Sequence, residues 1–139
     1  MRDHIYMLKL EIVTPEKKVI DVEVESVTVP TATGEAGIFT AHAPLISALK
    51  PGILTYTAKG VGEKFAVTVG FVEVSNDKVS VLTDTAETAA EIDVEAARIE
   101  RDAAQKELAA SSAASIEETD PIRERLDAAN ARLAIAAGK

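Results

Sequence analysis

Ile20-Asp21-Val22-Glu23-Val24-Glu25-Ser26-Val27-Thr28-Val29 decides how this chain folds. Apolar residues occupy every second position, first the even ones to Val24, then the odd ones from Val27. A period of two in a valine-rich run means strands with one face buried. The step between Val24 and Val27 turns the inward face over, which predicts a bend or bulge at Glu25 and Ser26 instead of one flat strand. The same alternation holds at Leu8, Leu10 and Ile12 before this stretch, and at Phe65, Val67 and Val69 after it. Between the runs, Pro15-Glu16-Lys17-Lys18, Lys50-Pro51-Gly52, Lys59-Gly60-Val61-Gly62 and Ser75-Asn76-Asp77-Lys78 supply turns at short intervals. Successive strands are then neighbours, and an antiparallel β-sandwich or flattened barrel is expected.

After about Ala89 the pattern changes to alanine, glutamate and arginine, with no glycine before Gly138 and only Pro121 as proline. That composition is helical. Ile92, Ala96, Ile99, Ala103 and Leu108 recur at three-to-four spacing, as do Ile122, Leu126, Ala129 and Leu133, so each helix carries one narrow apolar stripe. Asp93 is placed to cap the first helix, Asp120 followed by Pro121 to start the second, and Gly138 to end it. Ser111-Ser112-Ala113-Ala114-Ser115 interrupts the pattern, which predicts two antiparallel helices joined by a serine-rich bend. The expected organisation is a sandwich over residues 1–88 and a helical hairpin over 89–139. Alanine stripes bury little area at roughly 25 cal/mol per Å2, so such a hairpin is either a conditionally docked switch or a permanent appendage of the sandwich.

With 139 residues the chain can build one core and an appendage, not two full domains. Having no cysteine, it has no disulfide, thiolate metal ligand or cysteine nucleophile. Fifteen basic against 23 acidic residues give a net charge of −8, which repels phosphate backbones and anionic lipid; nucleic acid is not an expected partner. No apolar run reaches the roughly 18 to 20 residues of a membrane-spanning helix. Met1 to Met7 has neither the apolar block of a secretory signal nor the arginine-rich pattern of a transit peptide, so a bacterial cytoplasm is the expected setting, although a processed organellar chain would read the same.

One segment mixes residue types more than a simple strand or helix requires: Gly34-Glu35-Ala36-Gly37-Ile38-Phe39-Thr40-Ala41-His42-Ala43-Pro44-Leu45. Gly34 and Gly37 can adopt positive φ, which would hold Glu35 out on a tight turn. Pro44 restricts Ala43 to extended conformations, so His42 leads into a strand from a defined direction, where a bond to nearby backbone is one expected role. No partner for His4 can be read from the sequence, and it is expected to be exposed. No second histidine pairs with His42, and no Gly-x-Ser-x-Gly or Gly-Lys-Ser/Thr stretch offers a nucleophile or a phosphate cradle. No catalytic residue, metal site or cofactor is therefore expected. The acids of Glu91-Ile92-Asp93-Val94-Glu95 are accounted for by a helix start and its dipole.

This loop, together with Lys50-Pro51-Gly52, Gly70-Phe71-Val72-Glu73-Val74 and Val79 to Glu87, resembles the epsilon subunit of the rotary F-type ATP synthase, and the alanine-rich remainder resembles that family's helical tail. The resemblance implies a non-catalytic subunit that couples ion-driven rotor rotation to ATP synthesis while its hairpin modulates ATP hydrolysis. It also implies that Glu35 faces the polar loops of the membrane rotor ring and that His42 packs on the gamma subunit of the central stalk, both on one turn. The hairpin would reach the alpha and beta catalytic subunits, and the membrane would be met only through the complex, at its cytoplasmic face. Family members commonly carry a bulky aliphatic residue where Ala36 stands and a Pro-Gly pair where Thr40-Ala41 stands.

Some members bind ATP through an Ile/Leu-Asp-x-x-Arg-Ala motif at the first helix. Here the segment is Ile92-Asp93-Val94-Glu95-Ala96-Ala97, with Ala96 in the arginine position. Alanine offers neither the charge nor the donors that a nucleotide needs. Arg98, about 200° further around the helix, is no substitute, so weak or no ATP binding is expected. From Pro121 onward Arg123, Arg125, Arg132 and Lys139 face Glu124 and Asp127, a weakly basic set that implies modest inhibition. The alternative from another class is a free-standing sandwich that binds a small ligand, with the hairpin as an oligomerising arm. Three Phe, two Tyr and no Trp disfavour stacking on sugars.

Overall fold

The computed structural model of the chain describes residues 7–138; His4 and Lys139 lie outside them. Ten strands precede two helices: β1 (Leu8–Val13), β2 (Lys18–Val24), β3 (Ser26–Thr31), β4 (Gly34–Ile38), β5 (Leu45–Leu49), β6 (Gly52–Ala58), β7 (Val61–Val67), β8 (Gly70–Ser75), β9 (Lys78–Thr83) and β10 (Ala86–Glu87), then α1 (Val94–Ala110) and α2 (Ile116–Ala136). Among the described residues the strands run in the order β10-β7-β6-β3-β5-β8-β9-β1-β2, with β4 attached to β3 alone. All pairings are antiparallel except β1 with β9.

The sheet folds over on itself at β3. Its first half pairs with β6 through Ser26, Val27 and Thr28, whereas Thr31 pairs with Leu49 of β5, so one strand belongs to both layers. Between the layers lies a single core that includes Leu8, Leu10, Ile12, Val24, Val27, Val29, Ile38, Leu54, Val72 and Val81. The register flip read from the sequence is where the chain leaves β2 for β3. Glu25 stands alone between them, its N–H donating to the Thr57 carbonyl (2.7 Å) and its carboxylate accepting from Gly60 N–H (3.3 Å). Val22 and Ile20 are less enclosed than their alternation implied, because among the described residues β2 is an edge strand paired with β1 alone. Val69 is only half-buried and falls outside β7, which stops at Val67. All four turn segments read from the sequence connect strands. Lys59-Gly60 and Asn76-Asp77 both have positive φ at their two central residues, the handedness that two-residue hairpins favour.

Asp93 caps α1 through Oδ1, which accepts from Ala96 N–H (3.0 Å). The second helix starts a full turn earlier than expected. Ser115 caps it in a reciprocal box with Glu118, so Asp120 is no cap and Pro121 sits inside the helix. A box at the end of the serine-rich bend satisfies two orphan donors, and that outweighs the Asp-Pro signal. Gly138 follows the end of α2 with φ of 82°.

The buried seam of α1 is Ala97 and Ala104, one position round from the stripe read in the sequence, and Ile99 is 62% exposed. Methyl-sized seams let two helix backbones approach closely, and the larger side chains then turn outward. Arg125 of α2 crosses that seam to bond Glu100 (2.6 Å) and Glu107 (2.8 Å). The hairpin is folded and docked: Ala131 and Ile135 of α2 pack with Ile92, Ala66 of β7 and Ile53 of β6 on the outside of the β6-β7 layer. Beside this contact Arg132 Nε lies 2.9 Å from Glu87 Oε1, near enough for an ion pair though misaligned for a hydrogen bond.

Candidate functional site

Glu35 does not project from a turn between two glycines. The turn is Ala32-Thr33, closed where the Thr31 hydroxyl donates to the Gly34 carbonyl (2.5 Å). Gly34 takes φ of 123°, while Gly37 needs no positive φ and lies within β4. Glu35 is therefore an exposed residue of a strand, opposite Pro30. The mixed composition of 34–38 reflects an edge strand whose inward positions are Ala36 and Ile38, with glycine or glutamate at the rest.

After β4 the chain leaves the sheet through Phe39, which is exposed, and turns at Thr40-Ala41. Ala41 adopts φ of 62°, a left-handed conformation that suits glycine. Its N–H donates to Asp77 Oδ1 (2.7 Å) in the β8–β9 turn, which ties the loop to the sandwich. His42 is half-buried, and its Nδ1 donates to the Ala43 carbonyl (2.6 Å), which leaves Nε2 as the ring nitrogen open to a further partner. The backbone bond read as one possible role of His42 is thus present. Glu35 and His42 do not share a turn. They flank opposite ends of β4, whose run from Glu35 to Ile38 alone covers about 10 Å.

The two outer faces of the sandwich differ. The β6-β7 face is covered by α2. On the other layer, cross-strand pairing lines up Ala48 of β5, Phe71 of β8, Leu82 of β9 and Val13 of β1, all pointing away from the core. Phe71 is 60% exposed and Leu82 52%, and Ile46, in the next row, is 73% exposed. Beside Phe71 and Leu82 lies a shallow depression of about 360 Å3, lined also by Val13, Pro15 and Val69. Toward β2 the same face becomes ionic: Lys18 bridges Glu11 (2.8 Å) and Asp21 (3.3 Å), Lys9 bonds Asp21 (3.3 Å), and Lys78 lies 3.7 Å from Glu11. The Lys18 ammonium, by bonding Glu11, holds that carboxyl below its ordinary value. The sequence reading did not single out this apolar row. Its signal was present, since Phe71 and Leu82 are large apolar residues on the outward parity of strands whose inward positions are Val72, Val74, Val79 and Val81.

Ile92 and Asp93 of the partial nucleotide motif, and Arg98 just beyond it, have contacts within the fold. Ile92 is buried under α2, the Asp93 carboxylate caps α1, and Arg98 pairs with Glu95 (2.7 Å). Among the described residues no cluster of three or more His, Asp or Glu is placed to hold a metal. No helix among them is long and apolar enough to cross a membrane.

The sandwich matches the family model described as ATP synthase, Delta/Epsilon chain, beta-sandwich domain, over residues 7–89. The chain is 48% identical over 102 residues to the ATP synthase epsilon chain of Carboxydothermus hydrogenoformans, an alignment covering 73% of this chain and 76% of the relative. It is 46% identical over 101 residues to the ATP synthase epsilon chain of Citrifermentans bemidjiense, covering 73% of each. In three dimensions it is similar to a chain of the Euglena gracilis mitochondrial ATP synthase, with a TM-score of 0.74 at 22% identity, over 96% of this chain and 82% of that one. The helices are thus included in a shared fold. A chain of the central stalk and c-ring assembly of Tetrahymena thermophila mitochondrial ATP synthase gives a TM-score of 0.51 at 20% identity, over 60% of this chain and 68% of that one.

Proposed function

This chain belongs to the ATP synthase delta/epsilon family, with epsilon chains as its relatives, and from that membership we propose how its surfaces serve a non-catalytic subunit of the central stalk. Residues 1–88 form the body that grips the stalk and the rotor ring so that ion-driven rotation is transmitted, and residues 89–139 form the regulatory hairpin. The gamma subunit is the stalk partner, with His42 at that contact; Glu35 meets the polar loops of the c-ring. The hairpin, when extended, reaches the alpha and beta subunits and inhibits hydrolysis modestly. The protein works peripherally at the cytoplasmic face of a bacterial membrane, held there by the complex.

The observation that carries this reading is the uncovered row of Phe71, Leu82 and Val13 with neighbouring Ile46. A subunit that has already covered one outer face with its own helix, yet leaves large apolar side chains in line on the other, has a surface built to be covered by another protein. His42 leads into β5, the strand that carries Ile46, so the proposed histidine contact continues that surface. Copurification from membranes tests it. Phe71→Glu should lose gamma and ring subunits together while the isolated protein keeps its fold; full retention of both would refute the assignment. His42→Ala and Glu35→Ala, scored separately for gamma and for ring subunits, test the finer contacts. Deleting residues after Ala89 should raise ATPase activity of the assembled enzyme only slightly, and a large release of latent activity would contradict modest inhibition.

A further inference from the structure

The open edges of the sheet are treated differently. Edge strand β2 carries Lys18, Asp21 and Glu23, ties two of these into ion pairs, and pairs with β1 through a register shift at Ile12 and Val13. These are the usual devices that stop another strand from adding to an edge. At the far end of the sheet β10 is only two residues long. Strand β4, by contrast, reads Gly34-Glu35-Ala36-Gly37-Ile38, has neither lysine nor proline, and among the described residues pairs with β3 alone.

Which backbone groups this edge presents follows from β3. Pro30 has no N–H, and its carbonyl accepts from Lys50 N–H (3.0 Å); Ala32 N–H donates to the Ala48 carbonyl (3.1 Å). The even-numbered residues of β3 thus turn their backbone groups toward β5 and β6. Val27, Val29 and Thr31 turn theirs toward their partners in β4, Ile38, Ala36 and Gly34. By the alternation of an antiparallel ladder, Glu35 and Gly37 direct both N–H and C=O outward at the free edge. Glu35 and Gly37 are both exposed, and Gly37 has no side chain to stand beside the edge.

We infer that β4 is a docking edge, to which an extended segment of a neighbouring subunit adds as a further strand, bonded to the backbone of Glu35 and Gly37 and carrying a lysine or arginine beside the Glu35 carboxylate. The inference rests on membership of the rotary complex and adds the backbone to the proposed side-chain role of Glu35. Charge selects this occupant over a second copy of the chain. In the antiparallel register that uses Glu35 and Gly37 of both copies, the two carboxylates stand on one face about 7–8 Å apart. Each copy also brings a net charge of −8. A basic segment meets no such repulsion.

Hydrogen exchange on the full chain, alone and in the assembled rotary complex, tests this directly. In the free protein the Glu35 and Gly37 amides should exchange freely while Ala36 and Ile38 are protected; in the complex the first two should slow at least about tenfold. Gly37→Pro removes one outward donor that has no partner in the sheet, whereas Gly37→Ala keeps it. The proline variant, once its fold is verified by circular dichroism, should bind the remaining complex at least about tenfold more weakly than the alanine variant. Unchanged exchange on assembly, or equal binding by the two variants, overturns the docking edge. Protection that appears in the isolated chain as its concentration rises would instead identify a second copy and overturn the stated occupant. Failure of the wild-type chain to join the complex at all would count against the stalk function itself, so the two failures are distinguishable.

Discussion

Gly70 shows how strictly the sandwich can specify one residue. A Cβ there would lie 1.8 Å from the Leu82 carbonyl oxygen and 2.8 Å from Thr83 Cα, both backbone atoms that cannot swing aside. Gly70→Ala should therefore separate β8 from β9 and cost about 3 kcal/mol, measured by urea unfolding. Ala41 is the opposite case. It holds φ of 62°, and left-handed backbone costs an L-residue about 1–2 kcal/mol. Ala41→Gly should recover part of that, offset by the larger entropy of glycine in the unfolded chain, for a net gain of about 0.5–1 kcal/mol in the same assay. The resemblance pointed to position 41, but its conformation is set by Asp77, 36 residues away, whose carboxylate receives the Ala41 N–H. Glu35 and His42 were legible as unusual residues. Their separation to the two ends of β4 was not, because Gly37 was free to be a turn or a strand residue until Thr28 paired with it.

At the scale of elements, the hairpin was legible in kind and misplaced in detail. Helical composition and the serine bend announced it, but the facing seams are chosen by fit between two helices, and Ala97 and Ala104 serve there while Ile99 turns outward. The clasp across the seam is ionic. The Arg125 guanidinium, bonded to Glu107, holds that carboxyl below its ordinary value of 4.5, and Glu107 with Glu100 raises Arg125 in turn. A carboxylate whose folded value is depressed contributes stability that is complete above its unfolded value and disappears as pH falls through the lower folded one. The clasp therefore acts at neutral pH and is lost on acidification below 4.5. Its members are solvent-exposed, so salt weakens it too. Arg125→Ala should lower the melting temperature at pH 7 in low salt, and the difference from wild type should shrink both in high salt and at acid pH. A difference independent of pH and salt would mean that Arg125 acts by packing.

For the whole molecule, the expectation on nucleotide follows from how the parts are joined. Ile92 is buried between the sandwich and α2, Asp93 caps α1, and Ala96 stands in the arginine position, so the partial motif lacks the cation that a triphosphate needs. Titration of the isolated protein with MgATP should show no saturable binding in the micromolar range, and saturable micromolar affinity would refute it. Residues Leu8 to Val29 by themselves determined the strands and the bend at Glu25 and Ser26, because side-chain alternation and its phase are local properties of a chain, although Ile20 and Val22 on the β2 edge are less enclosed than that alternation implied. The change of composition after Ala89 likewise determined the helices. Only the tertiary structure decided which outer face the hairpin covers, which leaves Phe71 and Leu82 bare, and that β4 pairs, among the described residues, with β3 alone. Those outcomes depend on pairings between residues far apart in sequence, such as Thr31 with Leu49 or Ala66 with Ile135, and no local pattern encodes which distant partner a strand or helix will meet.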